Sequence, residues 1–186
     1  ETVTEALRII AEFGGFDRSY IFLFSDDLEL MNNTHEWCAK GIESQLHRLK
    51  GIPTNAFPWW MEKIKKLESI CIPSVPDLPP EASAEKKEFE LEQSQSIIGV
   101  PMVYQDKLLG FVGFDAVRTK KKCSDEFINL LKIVGEIFIN ALERERSQRA
   151  IKESESKLNA MLSSIGDFIC MVDKDLNLIW ANEITK

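Results

Sequence analysis

Hydrophobic and polar positions along the chain outline its elements before any composition is counted. Over Thr4–Phe13, the residues Ala6, Leu7, Ile9, Ile10 and Phe13 recur at helical spacing, and Gly14-Gly15 ends that helix. Ser19–Phe24 is a short run of β-favouring residues with the bulk of a fully buried strand, closed by turn chemistry at Ser25-Asp26-Asp27. Leu28–Cys38 is half polar and predicts a strand nearer an edge, whereas Ala39–Ala56, with Gly41, Gly51 and Pro53, predicts mostly loop. Pro58 suits the first turn of a helix whose stripe is Trp60, Met61, Ile64 and Leu67, with Trp59 off the stripe beside Glu62, Lys63 and Lys66. Ile70–Ile72 is a short strand. Four prolines between Pro73 and Pro80 stiffen the next loop, and Ser83 is placed to cap a charged helix running to about Gln93.

Ser96–Val117 carries the strongest pattern. Two apolar arms flank Gln105-Asp106-Lys107, which predicts a hairpin with Asp106 in a left-handed turn position. Neither arm has a polar face, so both faces of the hairpin require cover and it belongs near the centre of a sheet. Pro101 pulls the other way, because a proline lacks a ladder donor and favours an edge or a bulge.

Ser124 caps the last helix, with Asp125 and Glu126 in its first turn, where the helix dipole favours negative charge. Its apolar stripe gives way after Leu142 to an almost wholly polar stretch, residues 143–157, that contains no glycine or proline, and apolar residues resume at Leu158. Leu130, Ile137, Ile151, Leu158 and Ile165 repeat every seven residues or multiples of it, with Val134, Ala141 and Leu162 at the other seam position. Arg144, Gln148 and Glu155 interrupt this weak heptad pattern, which predicts a homodimer packed through Leu130, Ile137, Ile151 and Leu158. A solvated single helix is the alternative, but it would leave Ile151 alone on a charged surface. Gly166 breaks the helix, and Phe168–Val172 and Leu176–Trp180 read as two short strands, frayed or paired with another chain, around Asp173-Lys174-Asp175.

Composition narrows the function classes. A formal net charge of -7 argues against a nucleic-acid module, and the basic run Arg118–Lys122 reads as a solvated loop. No apolar run approaches the ~18 residues of a membrane span. The four cysteines, Cys38, Cys71, Cys123 and Cys170, are scattered without a C-x-x-C pair, which fits reduced thiols in a cytoplasmic protein. A chain of 186 residues that starts at Glu1 reads as a segment of a longer polypeptide.

Together, ALRIIAEFGGFDRSYIFLF (6–24), Asn33–Cys38 followed by Gly41-Ile42, the Phe57-Pro58-Trp59-Trp60 helix start, Ile72-Pro73 with Leu78–Ala82, and the hairpin with Gly110 and Asp115 resemble a GAF domain. Residues 154–182 resemble the opening of a PAS domain with its preceding helix. The resemblance implies a GAF domain over 1–142, a connector helix over 143–163 and a PAS fragment over 164–186. It implies an α+β fold: a central antiparallel sheet with the terminal helices on one face and a pocket covered by loops and helices on the other. It also implies a sensory module of a signalling protein, such as a sensor histidine kinase or a cyclic-di-nucleotide enzyme. The partners expected are an unidentified small molecule, a second copy of the chain and downstream domains. The cofactor is unknown, and any output enzyme lies outside this segment.

Candidate chemistry is sparse. His35 and Cys38 lie three apart on a strand and so point to opposite faces, which argues against a shared metal ion. A haem held by one protein ligand (His35, His47 or a cysteine) stays open. No cysteine is followed by histidine, as the bilin-binding relatives of the family require, and Ala116 stands where the cyclic-nucleotide signature of Phe111 and Asp115 needs a glutamate. Ser74 stands where many related domains have an aspartate, and no activated cysteine, Ser/His/Asp set or phosphate loop is evident. The ligand-binding candidates are His35, Trp37, Asn55, Trp59, Trp60, Ser74, Met102 and Phe111, with Glu36 as a further polar anchor.

Overall fold

The computed structural model describes residues 2–122, 124–164 and 169–181. They form four α-helices and eight strands: α1 (Thr2–Gly14), β1 (Arg18–Phe24), β2 (Leu30–Cys38), β3 (Ile52–Pro53), α2 (Pro58–Lys65), β4 (Ile70–Ile72), α3 (Ser83–Leu91), β5 (Ser96–Tyr104), β6 (Lys107–Ala116), α4 (Asp125–Ser164), β7 (Cys170–Val172) and β8 (Leu178–Ala181). Two compact units emerge, Glu1–Asn140 and Ala141–Lys186.

The first unit is built on a six-stranded sheet in the order β3-β2-β1-β6-β5-β4, with every neighbouring pair antiparallel. The fold is thus the α+β architecture expected. Two non-glycine residues in the left-handed region, Gln105 (φ 48°) and Asp106 (φ 63°), turn the chain between β5 and β6. Pro101 sits inside β5 without breaking it, because β4 pairs only with Ile97–Gly99 and has ended before the proline is reached.

Each strand of the hairpin serves both faces of the sheet. On one face α1 and the first half of α4 cover Ser19, Ile21, Met102, Val112 and Phe114. The Ser19 hydroxyl donates to the Leu7 carbonyl at 3.1 Å. Gly135 of α4 faces Met102 and Val112, where a Cβ would find ordinary contacts at 3.5 and 3.7 Å, and Phe16 stacks on Phe127 at 5.3 Å with Phe114 edge-on to both. On the other face α2, α3 and the irregular segment between β2 and α2 cover Tyr20, Phe22, Ile97 and Phe111.

Several local expectations need correction. The N-cap of α3 is Ala82 and Ser83 makes no side-chain cap bond, since the helix grows out of a 3-10 turn over Pro80–Ala82. Leu67 lies beyond the end of α2 with φ 60° and is exposed. Cys71 is disulfide-bonded, so the reading of four reduced thiols fails there. Cys38 and Cys170 are free, and Cys123 lies outside the described residues. Ser124 does cap α4, accepting from Phe127 N–H at 3.2 Å. The expected helix break at Gly166, the seam residue Ile165 and Phe168 also lie outside the described residues.

In the second unit β7 and β8 pair with each other as an antiparallel hairpin. Asp173 holds its turn by accepting from the Asp175 and Asn177 N–H groups at 2.8 and 2.9 Å. Met171, Val172, Leu178 and Ile179 on this hairpin are exposed.

Candidate functional site

A cavity lies between the sheet and its cover of α2, α3 and loop. Its floor is β1 and β6, which place Arg18, Tyr20, Phe22 and Phe111 on one side of the sheet. Met31, Asn33 and Glu36 enter from β2, Gln45 and Leu49 from the loop, Phe57 and Trp60 from around the start of α2, and Glu88, Phe89 and Glu92 from α3 and its end. A bulge in the β1–β2 ladder pairs Phe22 with Asn33 and Ile21 with His35. The extra residue lets Asn33 and Glu36, three apart in sequence, share the cavity side.

Aromatic rings fill most of the space. Phe22 stacks on Phe111 at 4.9 Å, and Trp60 meets Phe111 and Phe89 edge-on at 5.3 and 5.7 Å. The Trp60 ring lies against Gly99, where a Cβ would come within 2.4 Å of it, and the Tyr20 ring lies against Gly113 in the same way at 2.1 Å. Glu85, fully buried on α3, accepts from the Trp60 backbone N–H at 3.0 Å and so anchors the positive end of α2. The remaining cavity is about 40 Å³. At about 10–15 Å³ per water, that is room for a few solvent molecules.

A charged knot adjoins the rings. Arg18, 2% exposed, and Asp115, 0% exposed, pair at 3.1 Å, and Arg18 also reaches Glu92 at 3.4 Å. Asp115 accepts two further bonds, from the Tyr20 hydroxyl at 2.9 Å and the Ser94 hydroxyl at 2.8 Å. Arg48 bridges the opposite side, with Nη2 on Glu92 at 3.0 Å and Nη1 on Glu88. Asp115 accepts from three donors, Arg18, Tyr20 and Ser94, yet its complete burial pushes its carboxyl up from the ordinary carboxylate value. Glu92 is the group that keeps its proton: burial and then the neighbouring Asp115 charge push it up to about 8. Glu36 is engaged by Asn33 Nδ2 at 3.2 Å, by the Gln45 and Leu46 N–H groups at 2.9 and 3.1 Å, and by the Ser44 hydroxyl, so it ties the loop to β2. Among the described residues, four buried polar atoms of cavity-lining residues have no hydrogen-bond partner, Arg18 Nε, Asn33 Oδ1, Trp60 Nε1 and Glu88 Oε1, of which the last is held in the ion pair with Arg48.

Of the eight ligand-binding candidates read from the sequence, the structure brings only Trp60 and Phe111 to this cavity. His35 and Trp37 stand opposite Ile21 and Ser19, on the side that carries α1. Met102 is on that side too, packed near Gly135 of α4. Asn55 is exposed beside a separate surface depression near Leu28 and Thr54. Trp59 does not line the cavity but is half-buried against the same hydrophobic cluster, with the Lys63 ammonium 5.0 Å from its ring centre. Ser74 accepts from Lys120 at 2.7 Å away from the cavity. Glu36, the further polar anchor, also lines the cavity, and Asp115, noted in the sequence only as part of the hairpin's resemblance, lies beside it, whereas Arg18, Asn33, Glu88 and Glu92 were missed. Single charged residues in strand and helix runs read as surface, and only their convergence in the fold marks them.

His35 and Cys38 do fall on opposite faces, Cys38 being paired with Arg18 and His35 with Ile21. The Cys38 thiol is pushed up to about 12 by burial and the Glu36 carboxylate, which disfavours the thiolate that redox chemistry needs. Among the described residues no three His, Cys, Asp or Glu side chains are grouped to hold a metal ion, and no helix is long and apolar enough to cross a membrane.

Comparison with known proteins places this arrangement. The chain is 25% identical over 187 residues to the methanogenesis regulatory histidine kinase FilI of Methanothrix harundinacea, covering 95% of the chain but only 21% of that protein's length. A domain of a putative two-component sensor histidine kinase from Sinorhizobium meliloti superposes with a TM-score of 0.63 at 21% identity, covering 82% of this chain and 97% of that one. The photoproduct state of a GAF domain from Synechocystis superposes with a TM-score of 0.68 at 15% identity over 81% of this chain and 96% of that one. At these identities the structural likeness is one of fold. Residues 1–143 match the family model of the GAF domain, and the chain therefore belongs to the GAF domain family.

Proposed function

We propose that this chain is a non-catalytic sensory segment of a multidomain signalling protein, a histidine kinase in the first instance. In this reading a small molecule entering the cavity acts on the helices through the sheet. The observation that carries it is the double use of two strands. Arg18, Tyr20, Phe22, Phe111 and Asp115 face the cavity side, while the alternate residues Ser19, Ile21, Val112 and Phe114 form the bed of α1 and α4. A ligand that moved β1 against β6 would move that bed. Such coupling requires the ligand to bind two states of the domain with different affinity. Output passes along α4, paired with that of a second copy, to a following PAS domain and then to the kinase. The match to a regulatory histidine kinase over 95% of the chain supports this reading, since it extends past the GAF domain into the helix and hairpin.

A second reading has its own support. A cavity of about 40 Å³ already filled by stacked rings suits a ligand-free domain that spaces and dimerises its parent. Thermal unfolding against a library of small anions, cations and neutral metabolites separates the two. A ligand at a hundredfold excess over its Kd adds about 2.7 kcal/mol, which a melting curve resolves. A shift for any class supports sensing. No shift across the library, with nothing extractable from the purified protein, overturns sensing in favour of the spacer.

A further inference from the structure

We propose that the cavity takes a compact organic ammonium ion bearing an acceptor oxygen, and that Arg48 is the internal cation it displaces. The inference rests on the cavity being the sensory site.

Charge supplies the first argument. The groups on and behind the cavity wall are the carboxyls of Glu36, Glu88, Glu92 and Asp115 against the guanidinium groups of Arg18 and Arg48. Acidic groups outnumber basic ones, and the site covers part of the difference by keeping a proton on Glu92, which faces Asp115, Arg18, Glu88 and Arg48. When Arg48 leaves, only Arg18 still faces these carboxyls, so a cation in the vacated place restores the balance and an anion there worsens it.

Surface chemistry supplies the second. The carboxylates sit among Phe22, Phe89, Phe111 and Trp60, and aromatic faces beside carboxylates are the recognition chemistry of alkylated ammonium groups. The unmet hydrogen-bonding atoms agree. Asn33 is 1% exposed, its Nδ2 donates to Glu36, and its Oδ1 is left as an acceptor for an N–H or a polarised C–H. Arg18 Nε and Trp60 Nε1 are left as donors, which an oxygen on the same ligand satisfies.

Space supplies the third. Arg48 bonds Glu88, Glu92 and Gln45, yet its side chain is 40% exposed. It belongs to the irregular segment between β2 and β3, so it can swing to solvent without disturbing the sheet. Its departure vacates the cationic position on Glu88 and Glu92, both of which line the cavity.

Calorimetric titration of the 186-residue chain tests this, with choline and 2-aminoethanol as cationic probes, acetate and inorganic phosphate as anionic ones, and ethanediol as the neutral control. The expected result is binding of a cationic probe, tightened about tenfold or more by Arg48→Gln, which removes the competitor, and weakened at least about tenfold by Glu88→Gln, which removes a carboxylate from the vacated position. If Arg48→Gln fails to fold by circular dichroism, Arg48→Lys takes its place with a smaller gain, because lysine lacks the planar fork that spans two carboxylates. Binding of acetate or phosphate, weakened by the Arg48 change, overturns the ammonium assignment and leaves the sensory reading standing. So does a library hit confined to neutral compounds. Cationic probes that bind neither protein also overturn it, and the thermal library then decides the sensory reading separately.

Discussion

At the scale of single residues, the site is governed by one proton. Glu92 has an ordinary value of 4.5 and is held at about 8 in the folded chain. Between those values the folded protein keeps a proton that the unfolded chain has released, so stability falls as pH rises through the window. Glu92→Gln removes the titrating group. Its urea midpoint should decline less than that of the parent between about pH 4.5 and about pH 8, and equal slopes would dismiss Glu92 as the carrier of the proton. None of this is legible in the sequence, where Glu92 ends a charged helix and reads as solvated. Phe111 and Trp60 were legible because bulky rings on an apolar run have few places to go except inward. Glu36, named from the sequence as a polar anchor, does reach the cavity, but that it shares a face with Asn33 was obscured by the bulge opposite Ile21 and Phe22, since a strict alternation places residues three apart on opposite faces. The same rule served well for His35 and Cys38, which lie past the bulge.

At the scale of elements, the hairpin was the most readable part. Its turn, both arms and its need for cover on two sides follow from apolar runs and one tolerant aspartate. The short pieces were harder. The 3-10 turns and β3 have no periodicity of their own, and their backbone conformation is imposed by the sheet they cap. Glycines on β5, β6 and α4 now acquire different meanings. Gly113→Ala would drive a Cβ to 2.1 Å from the Tyr20 ring, and overpacking of that kind costs about 1–3 kcal/mol. Gly135 on α4 has its nearest neighbour, Met102, at an ordinary 3.5 Å, so Gly135→Ala should stabilise by about 0.5–1 kcal/mol through helix propensity alone. Denaturant titration of the pair should show shifts of opposite sign. A loss in both would mean that α4 sits closer to β5 than described.

At the scale of the whole molecule, the question is what α4 does beyond its bed. Leu131, Val134, Phe138 and Ile139 are buried in the first unit, while Leu130, Ile133 and Ile137 are exposed. The proposed pairing of two copies would therefore use Leu130 and Ile137 with Ile133, and not with the buried Val134 of the heptad reading. Continued at the same spacing it meets Ile151, Leu158 and Met161, all exposed. The sequence displayed this repeat but could not say which of two adjacent stripes the domain itself consumes. Changing Ile133 and Leu158 to glutamate leaves the core untouched and should shift the mass measured by light scattering from dimer to monomer. A mass unaffected by both changes would remove the paired-helix route of signalling.

The 40-residue length of α4 carries a further consequence. A free peptide with the composition of residues 143–157 must first form a costly helical nucleus, and it remains marginal in water. Here the nucleus comes ready made, because the turns seated on the sheet are continuous with the charged turns that follow. Helix growth from that seat adds one hydrogen bond per residue, with no initiation step to repeat. The GAF fold is in that sense the template on which the rest of the helix is wound, and loosening the seat would unwind it from its base.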